Sequence, residues 1–412
     1  MASEKKLFEG KTLAILTGGG DTPALNATIE AVRNRAVALG YRVAGIRRGW
    51  KGLLGAGDLV DITDAPFDAS CGGTVLRSSR TNPFAKGNEK RREELLGNIR
   101  EYDIDVLVVV GGDDTLGAAR KLYEKEGIPV IGFPKTIDND LRTQTIHDFN
   151  GGELESAVCP GFPTAAQSIV DYTQRIKTYA QSHERVLVLE VMGRDAGWLT
   201  GAASYAGADF ALIPEAPVNK SQKQELINKI ADAYKRAAHG YLVVAVAEGT
   251  QWYNPHDDKP VYVHASSERD EFGHPAFGGV SGVVAADIKK ETGLPAKGVV
   301  SGFYARSGRC GEADRKLVNT LADKVQDLLM RKSYGKMPVL KNAGGAVGPE
   351  AWMPETVGLP DVVTYPLPER YYDKSAFNFS QAYMDFMSGI VEHNQEAMFD
   401  YPFQKLKKSA HV

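Results

Sequence analysis

Short β-branched runs that alternate with stretches of helical spacing constrain this 412-residue chain more than any other feature. Thr12–Thr17, Tyr41–Ile46, Asp105–Val110, Pro129–Phe133, Val186–Val191, Phe210–Ile213 and Tyr241–Val246 read as strands. Ala24–Leu39, Thr115–Lys125, Pro163–Tyr179, Gln222–Ala238, Val280–Glu291 and Asp314–Arg331 read as helices. Strand and helix in alternation build βαβ units, whose strands run parallel and are covered on both faces. The expectation is an α/β protein of two domains, since the length exceeds one ordinary core. Asn150-Gly151-Gly152 and Pro160-Gly161 place a boundary within His147–Pro163.

Composition removes several function classes. A net charge of −3 gives no general attraction to nucleic acid or an anionic membrane, so an anionic substrate needs a local basic site. Cys71, Cys159 and Cys310 are widely spaced and odd in number, which suggests neither a disulfide framework nor a thiolate metal site and fits a reducing cytoplasm. Met1 to Lys11 lacks an apolar run of leader length, and no stretch reaches the ~18 apolar residues of a membrane helix. A soluble cytoplasmic enzyme is expected.

Ligands of open parallel sheets bind beyond the carboxyl ends of strands, so the loops there carry the chemistry. Thr17-Gly18-Gly19-Gly20-Asp21 joins a strand to a helix with Pro23 expected in its first turn; such a loop lets phosphate approach backbone N–H groups, or is plain turn geometry. Gly111-Gly112-Asp113-Asp114-Thr115 repeats the arrangement with two carboxylates, either hard ligands for Mg²⁺ or caps of the following helix. Pro134-Lys135-Thr136-Ile137-Asp138-Asn139-Asp140 ends the next strand. It offers a cation, a hydroxyl, a candidate general base and a further carboxylate.

These three loops, in order, resemble the phosphofructokinase family pattern of glycine-rich turn, GGD loop and TIDND loop. The likeness continues through Ser182-His183-Glu184-Arg185, Met192-Gly193-Arg194, Ala247-Glu248-Gly249 and Gly302-Phe303-Tyr304-Ala305-Arg306, and so covers roughly Lys11 to Arg331. The resemblance implies two Rossmann-like domains: residues 1–150 for the phosphoryl donor, completed by about 306–345, and 151–305 for the sugar phosphate. Residues 346–412 would be an extension packing back on the body. It further implies Asp138 as the base toward a sugar 1-hydroxyl, supported by Asp140, with Thr136, Lys135 and Arg194 at the transferring phosphate and Asp113 as the Mg²⁺ ligand. Gly20 and Arg80 fall at donor contacts. Arg185, Arg194, Lys297 and Arg306 match positions that grip the sugar phosphate, and Met192, Gly193 and Glu248 shape its site. Arg185 and Lys297 would reach across from a neighbouring subunit of a homodimer or homotetramer.

Two positions point within the family. ATP-dependent bacterial members resemble GGDG and GTIDND, where glycine leaves room for the nucleotide; this chain has Asp114 and Lys135. The chain therefore resembles the pyrophosphate-using branch, with Asp114 orienting Lys135 and fructose 6-phosphate as acceptor. ATP as donor, or sedoheptulose 7-phosphate as acceptor, is the alternative. Ala24 and Phe303 depart from the common pattern; Phe303 stands where ATP enzymes have a sugar-contacting histidine, and Arg370, Tyr371, Tyr372 and Lys374 are candidates to replace that contact. Cys71 is expected to be a small buried residue.

Overall fold

The computed structural model describes residues 7–85, 89–143, 146–147, 153–156, 158–237, 240–254, 259–269, 271–273, 275–343 and 352–392. The boundary signal at Asn150-Gly151-Gly152 lies outside the described residues. Two Rossmann-like domains face each other. The first is built on β1 (Thr12–Thr17), β2 (Arg42–Ile46), β3 (Leu59–Asp61), β4 (Ile104–Gly111) and β5 (Val130–Pro134), in the order β3-β2-β1-β4-β5. β2, β1, β4 and β5 pair in parallel, while β3 turns back antiparallel. β1 is buried at every position, as a central parallel strand must be.

Nine helices are described: α1 (Leu25–Leu39), α2 (Glu89–Glu101), α3 (Asp113–Glu126), α4 (Phe162–Ser182), α5 (Trp198–Tyr205), α6 (Lys220–Arg236), α7 (Val280–Thr292), α8 (Glu312–Met330) and α9 (Gln381–Ser388). Strand order reverses between β1 and β4, and the glycine loops that follow these two strands flank that switch point. The second sheet is wholly parallel: Phe210–Leu212, Leu242–Ala247, Val186–Val191 and Ala296–Val300, in that spatial order. The chain then returns through α8, whose Leu317, Val318, Leu321 and Val325 share a core with Ile29 and Val32 of α1. Strand Lys336–Ala343 adds to the first sheet beside β5.

The described residues 367–392 pack on the second domain. Tyr371, Phe379, Tyr383 and Phe386 gather around Trp198, the Tyr383 hydroxyl donates to the Trp198 carbonyl, and Tyr372 donates to Ala211 O at 2.7 Å. Both tyrosines proposed to replace a sugar contact are thus structural. Tyr372 and Lys374 line a cavity of about 470 Å³ with Glu215 and Tyr253, which none of the residues of the three motif loops lines. Cys71 is exposed, contrary to expectation, because it sits in a surface turn where its Sγ donates to Asp68 at 3.2 Å. Among the described residues no helix is long and apolar enough to cross a membrane.

Candidate active site

The carboxyl ends of the two sheets face one cleft, and each loop singled out above lines up there. Pro23 lies before α1, which starts at Leu25 with Ala24 as its cap, so proline closes the turn without entering the helix. Gly112 occupies the cap of α3 with extended backbone; Asp113 and Asp114 therefore stand in the first turn and are not caps. A carboxylate there is favoured by the free N–H groups of the helix start. Asp113 is exposed and Asp114 partly so.

Lys135 is the unusual group. It is only 3% exposed and donates from Nζ to the Gly20 carbonyl at 2.6 Å, while its own N–H donates to Gly111 O at 3.1 Å. One side chain thus ties the first loop to the third. Burial, followed by repulsion from Arg306, pushes its ammonium down to about 7, against the pull of Asp21 and Asp138. The carboxylates acting on Lys135 are Asp21 and Asp138; Asp114 acts on Arg194. Gly20 and Asp21 thus take part in orienting Lys135.

The TIDND loop holds its acids by local hydrogen bonds. Asp138 N–H donates to Thr136 Oγ1 at 3.0 Å, and that hydroxyl donates to Asp140 Oδ1 at 3.3 Å. Asn139 sits between them with φ +51°, a left-handed conformation that asparagine tolerates better than most residues, and its side chain accepts from Cys159 N–H at 2.9 Å. The two flanking carboxylates are thereby aimed together. Asp138 Oδ1 is shut from solvent with no hydrogen-bond partner among the described residues. Burial raises the Asp138 pKa, while Arg306, Arg194 and Lys135 oppose the rise. Asp140 is pushed up to about 7, first by burial and then by the charge of Asp138.

From the second domain come Met192, Gly193 and Arg194 after Val186–Val191, and Glu248 after Leu242–Ala247. Arg194 donates from Nε to Asp195 at 2.5 Å, and Gly193 N–H reaches Glu248 Oε1 at 3.5 Å. Gly249 is required by close approach: a Cβ there would lie 1.8 Å from Arg194 O. Burial, then Asp138, raises Glu248 to about 7. Arg306 crosses the cleft, with Nε on Met192 Sδ at 3.0 Å and Nη1 on Asp21 O at 3.2 Å; a Cβ on Gly20 would lie 2.7 Å from Nη1. Arg80 is exposed and close enough to act on Lys135.

Arg185 and Lys297 are not brought to this cleft. Arg185 precedes Val186–Val191, and Lys297 is the second residue of Ala296–Val300, paired with Leu187. Both stand at the amino end of the second sheet. A six-residue strand spans roughly 20 Å, which separates them from the loops at its other end. The Arg185 guanidinium lies 5.4 Å over the Tyr179 ring. Phe303, 76% exposed, faces outward beside Tyr304 and Val300, at 43% and 53%.

The cleft combines two glycine loops, the basic side chains of Lys135, Arg80, Arg194 and Arg306, and the carboxylate of Asp138, whose Oδ1 is buried. That is the equipment of phosphoryl transfer, which rests on positioning and charge neutralisation. Among the described residues no three His, Cys, Asp or Glu side chains form a ready metal cage. Mg²⁺ needs none, since one or two carboxylates plus phosphate oxygens and water suffice, and the exposed Asp113 carboxylate fits that role. Sequence reasoning missed Asp21, Asn139 and Asp195. An asparagine between two acids in a tight loop is a signal for the left-handed turn; Asp195 beside Arg194 offers only adjacency.

Comparison with known proteins agrees with this geometry. Pyrophosphate–fructose 6-phosphate 1-phosphotransferase of Dictyoglomus thermophilum is 37% identical over 334 residues, covering 80% of this chain and 89% of that protein. The protein of the same name from Streptomyces coelicolor is 38% identical over 333 residues, covering 80% and 90%. ATP-dependent 6-phosphofructokinase 3 of Streptomyces coelicolor is 34% identical over 334 residues, again 80% and 90%. Among solved structures, the pyrophosphate-dependent phosphofructokinase of Marinobacter aquaeolei shares the fold with a TM-score of 0.74 at 22% identity, covering 96% of this chain and 95% of that one. The phosphofructokinase family profile matches residues 12–329, and the chain belongs to the phosphofructokinase family.

Proposed function

We propose that this protein is a cytoplasmic pyrophosphate-dependent 6-phosphofructokinase, moving a phosphoryl group reversibly from pyrophosphate to the 1-hydroxyl of fructose 6-phosphate in glycolysis or gluconeogenesis. The observation that carries the donor assignment is Lys135, a buried ammonium fixed on Gly20 O between the two glycine loops. Pyrophosphate has no adenosine to bury, so its affinity must come from charge and hydrogen bonds, and a cation at this place supplies both. The relatives named as pyrophosphate enzymes support the same reading.

In the proposed reaction the first domain holds the donor and the second the sugar phosphate. Asp138 takes the proton from the 1-hydroxyl, whose oxygen attacks the terminal phosphorus in line. The bridging P–O bond breaks and orthophosphate leaves. Lys135, Arg80, Arg194 and Thr136 are suited to hold the phosphate oxygens, and Arg306 and Glu248 to orient the sugar phosphate. Mg²⁺ held by Asp113 would supply further charge neutralisation. Asp140 and Glu248, each raised to about 7, reduce the negative charge around the entering phosphates at neutral pH.

Arg185 and Lys297 serve the site of a second subunit in this proposal. Their place at the far end of the sheet, away from this chain's own cleft, supports a homo-oligomer with shared sites. The donor is tested by assaying the enzyme with Mg²⁺, fructose 6-phosphate and either pyrophosphate or ATP, in both directions. Turnover with pyrophosphate should be much the faster and should run readily in reverse; faster turnover with ATP would overturn the donor assignment.

A further inference from the structure

Arg80 sits in a loop anchored on one side only by its own domain. Ser78 Oγ donates to Gly19 O at 2.6 Å, Gly19 N–H donates to Ser79 O at 3.2 Å, and Ser79 Oγ donates to Arg48 O at 2.7 Å. These bonds fix the chain up to residue 79. Past Arg80, the peptide of Asn82 is held differently. Its N–H donates to Glu271 Oε2 at 3.1 Å, and Glu271 belongs to the second domain. Arg91 of α2 closes the arrangement, donating from Nη1 to Glu271 Oε2 at 2.9 Å and to Asn82 O at 3.3 Å. Both backbone polar groups of Asn82 are thus engaged by a charge pair that joins the two domains.

Glu271 lies in the turn of a hairpin, between strands Ala265–Arg269 and Pro275–Phe277. The base of that hairpin is also tied to the site. Phe277 packs edge-on to Tyr262, with ring centroids 5.0 Å apart, and the Tyr262 hydroxyl reaches Asp195 Oδ1 at 3.4 Å. The other oxygen of Asp195 receives Arg194 Nε. The hairpin therefore runs from the arginine of the sugar side to the loop of the donor side.

We propose that Glu271 is a positioning residue: by holding the Asn82 peptide it sets the place of Arg80 in the cleft, and with it the affinity for the phosphoryl donor. This rests on the pyrophosphate reading only for the identity of the donor. As a stability element the pair is minor, because Glu271 and Arg91 keep 45% and 30% of their side-chain exposure and exposed ion pairs contribute little. As a geometric constraint it matters more, since it is a charge-assisted anchor on the distal side of Arg80. Glu271 stays ionised across the working range: the Asn82 N–H bond, then Arg91, hold its carboxyl below the ordinary glutamate value.

The test is steady-state kinetics on the full-length enzyme and its Glu271→Ala, Glu271→Gln and Arg91→Ala variants, with each substrate varied in turn and with both pyrophosphate and ATP as donors. Glu271→Ala should raise KM for the preferred donor roughly 3- to 10-fold, the range between an exposed ion pair and a charge-assisted hydrogen bond. The value of kcat and the KM for fructose 6-phosphate should stay within about twofold. Glu271→Gln should recover part of the loss, because its amide oxygen still accepts from Asn82 N–H. If Glu271→Ala fails to fold, the Gln and Arg91→Ala variants decide. An unchanged donor KM, an equal rise in both KM values, or a Gln variant as impaired as Ala would overturn the proposal. Wild-type enzyme preferring ATP would overturn the donor assignment alone, and the same shift would then appear in the KM for ATP.

Discussion

The two ends of the second sheet carry the same kind of residue in opposite settings. At the carboxyl end, Arg194 is braced by Asp195 and shares the cleft with Asp138, while Glu248 is buried against Gly193. At the amino end, Lys297 is exposed and Arg185 rests on the ring of Tyr179. The carboxyl end is assembled from one chain, with carboxylate and cation matched in charge. At the amino end the two cations stand apart from those carboxylates. The contrast is what the proposed sharing of sites requires: one cleft completed within the chain, and cations at the far end left for a neighbour.

The sharpest way to break that contrast is to remove the base. Asp138→Asn keeps the shape of the carboxyl end and should lower kcat by about 10²–10⁴, the usual worth of a general base, with the thermal midpoint unchanged or raised because a buried carboxylate is gone. Stopped turnover with intact fructose 6-phosphate binding would be read by kinetics beside a binding isotherm. A fall below tenfold would remove Asp138 from the chemistry. Arg185→Ala comes next, with an expected rise in the KM for fructose 6-phosphate of roughly 10- to 100-fold, for loss of a guanidinium–phosphate pair. Mixing the two proteins, assayed at fructose 6-phosphate well below the raised KM so that Arg185→Ala alone is nearly silent, gives the decisive result. A mixed dimer then has one cleft with both defects and one with neither, so random exchange should return about a quarter of wild-type activity. No recovery on mixing, with subunit exchange verified by a tagged copy, would place Arg185 outside the site.

Much of this was legible in the sequence because parallel strands are buried on both faces and read as unbroken apolar runs. β1, β4 and Val186–Val191 are of that kind, and the motif loops follow their ends directly. What stayed hidden has physical reasons. α2 carries only Leu95, Asn98 and Ile99 to the interior, so its apolar pattern is too sparse to notice. α5 is buried on nearly every side and therefore shows no periodicity. The strand Lys336–Ala343 contains Pro338 and two lysines, which break the apolar pattern, yet it pairs on both sides, and Lys341 meets Glu355 at 3.9 Å. Glu271 could not be found at all: its meaning lies in a partner 189 residues earlier, and no local spacing encodes that.

The smallest effect tests whether the charge at the carboxyl end is set inside one chain, as the contrast requires. The Lys135 ammonium is depressed to about 7 by burial and Arg306, and Gly20, Asp21 and Asp138 around it all come from the same chain. A bound anion must raise that value, since it stabilises the charged form. Free enzyme at pH 8 thus holds Lys135 largely neutral, and donor binding takes up a proton. Affinity for pyrophosphate is greatest below pH 7 and is lost as the pH rises through 7 toward the bound-state value. Between pH 7 and 8.5 the dissociation constant should rise roughly 3- to 10-fold more in wild type than in Lys135→Met, whose titration there is gone. Calorimetry in two buffers of different ionisation enthalpy measures the proton directly. Equal pH dependence in both proteins would mean that Lys135 keeps its charge throughout and that its burial is relieved from outside the chain.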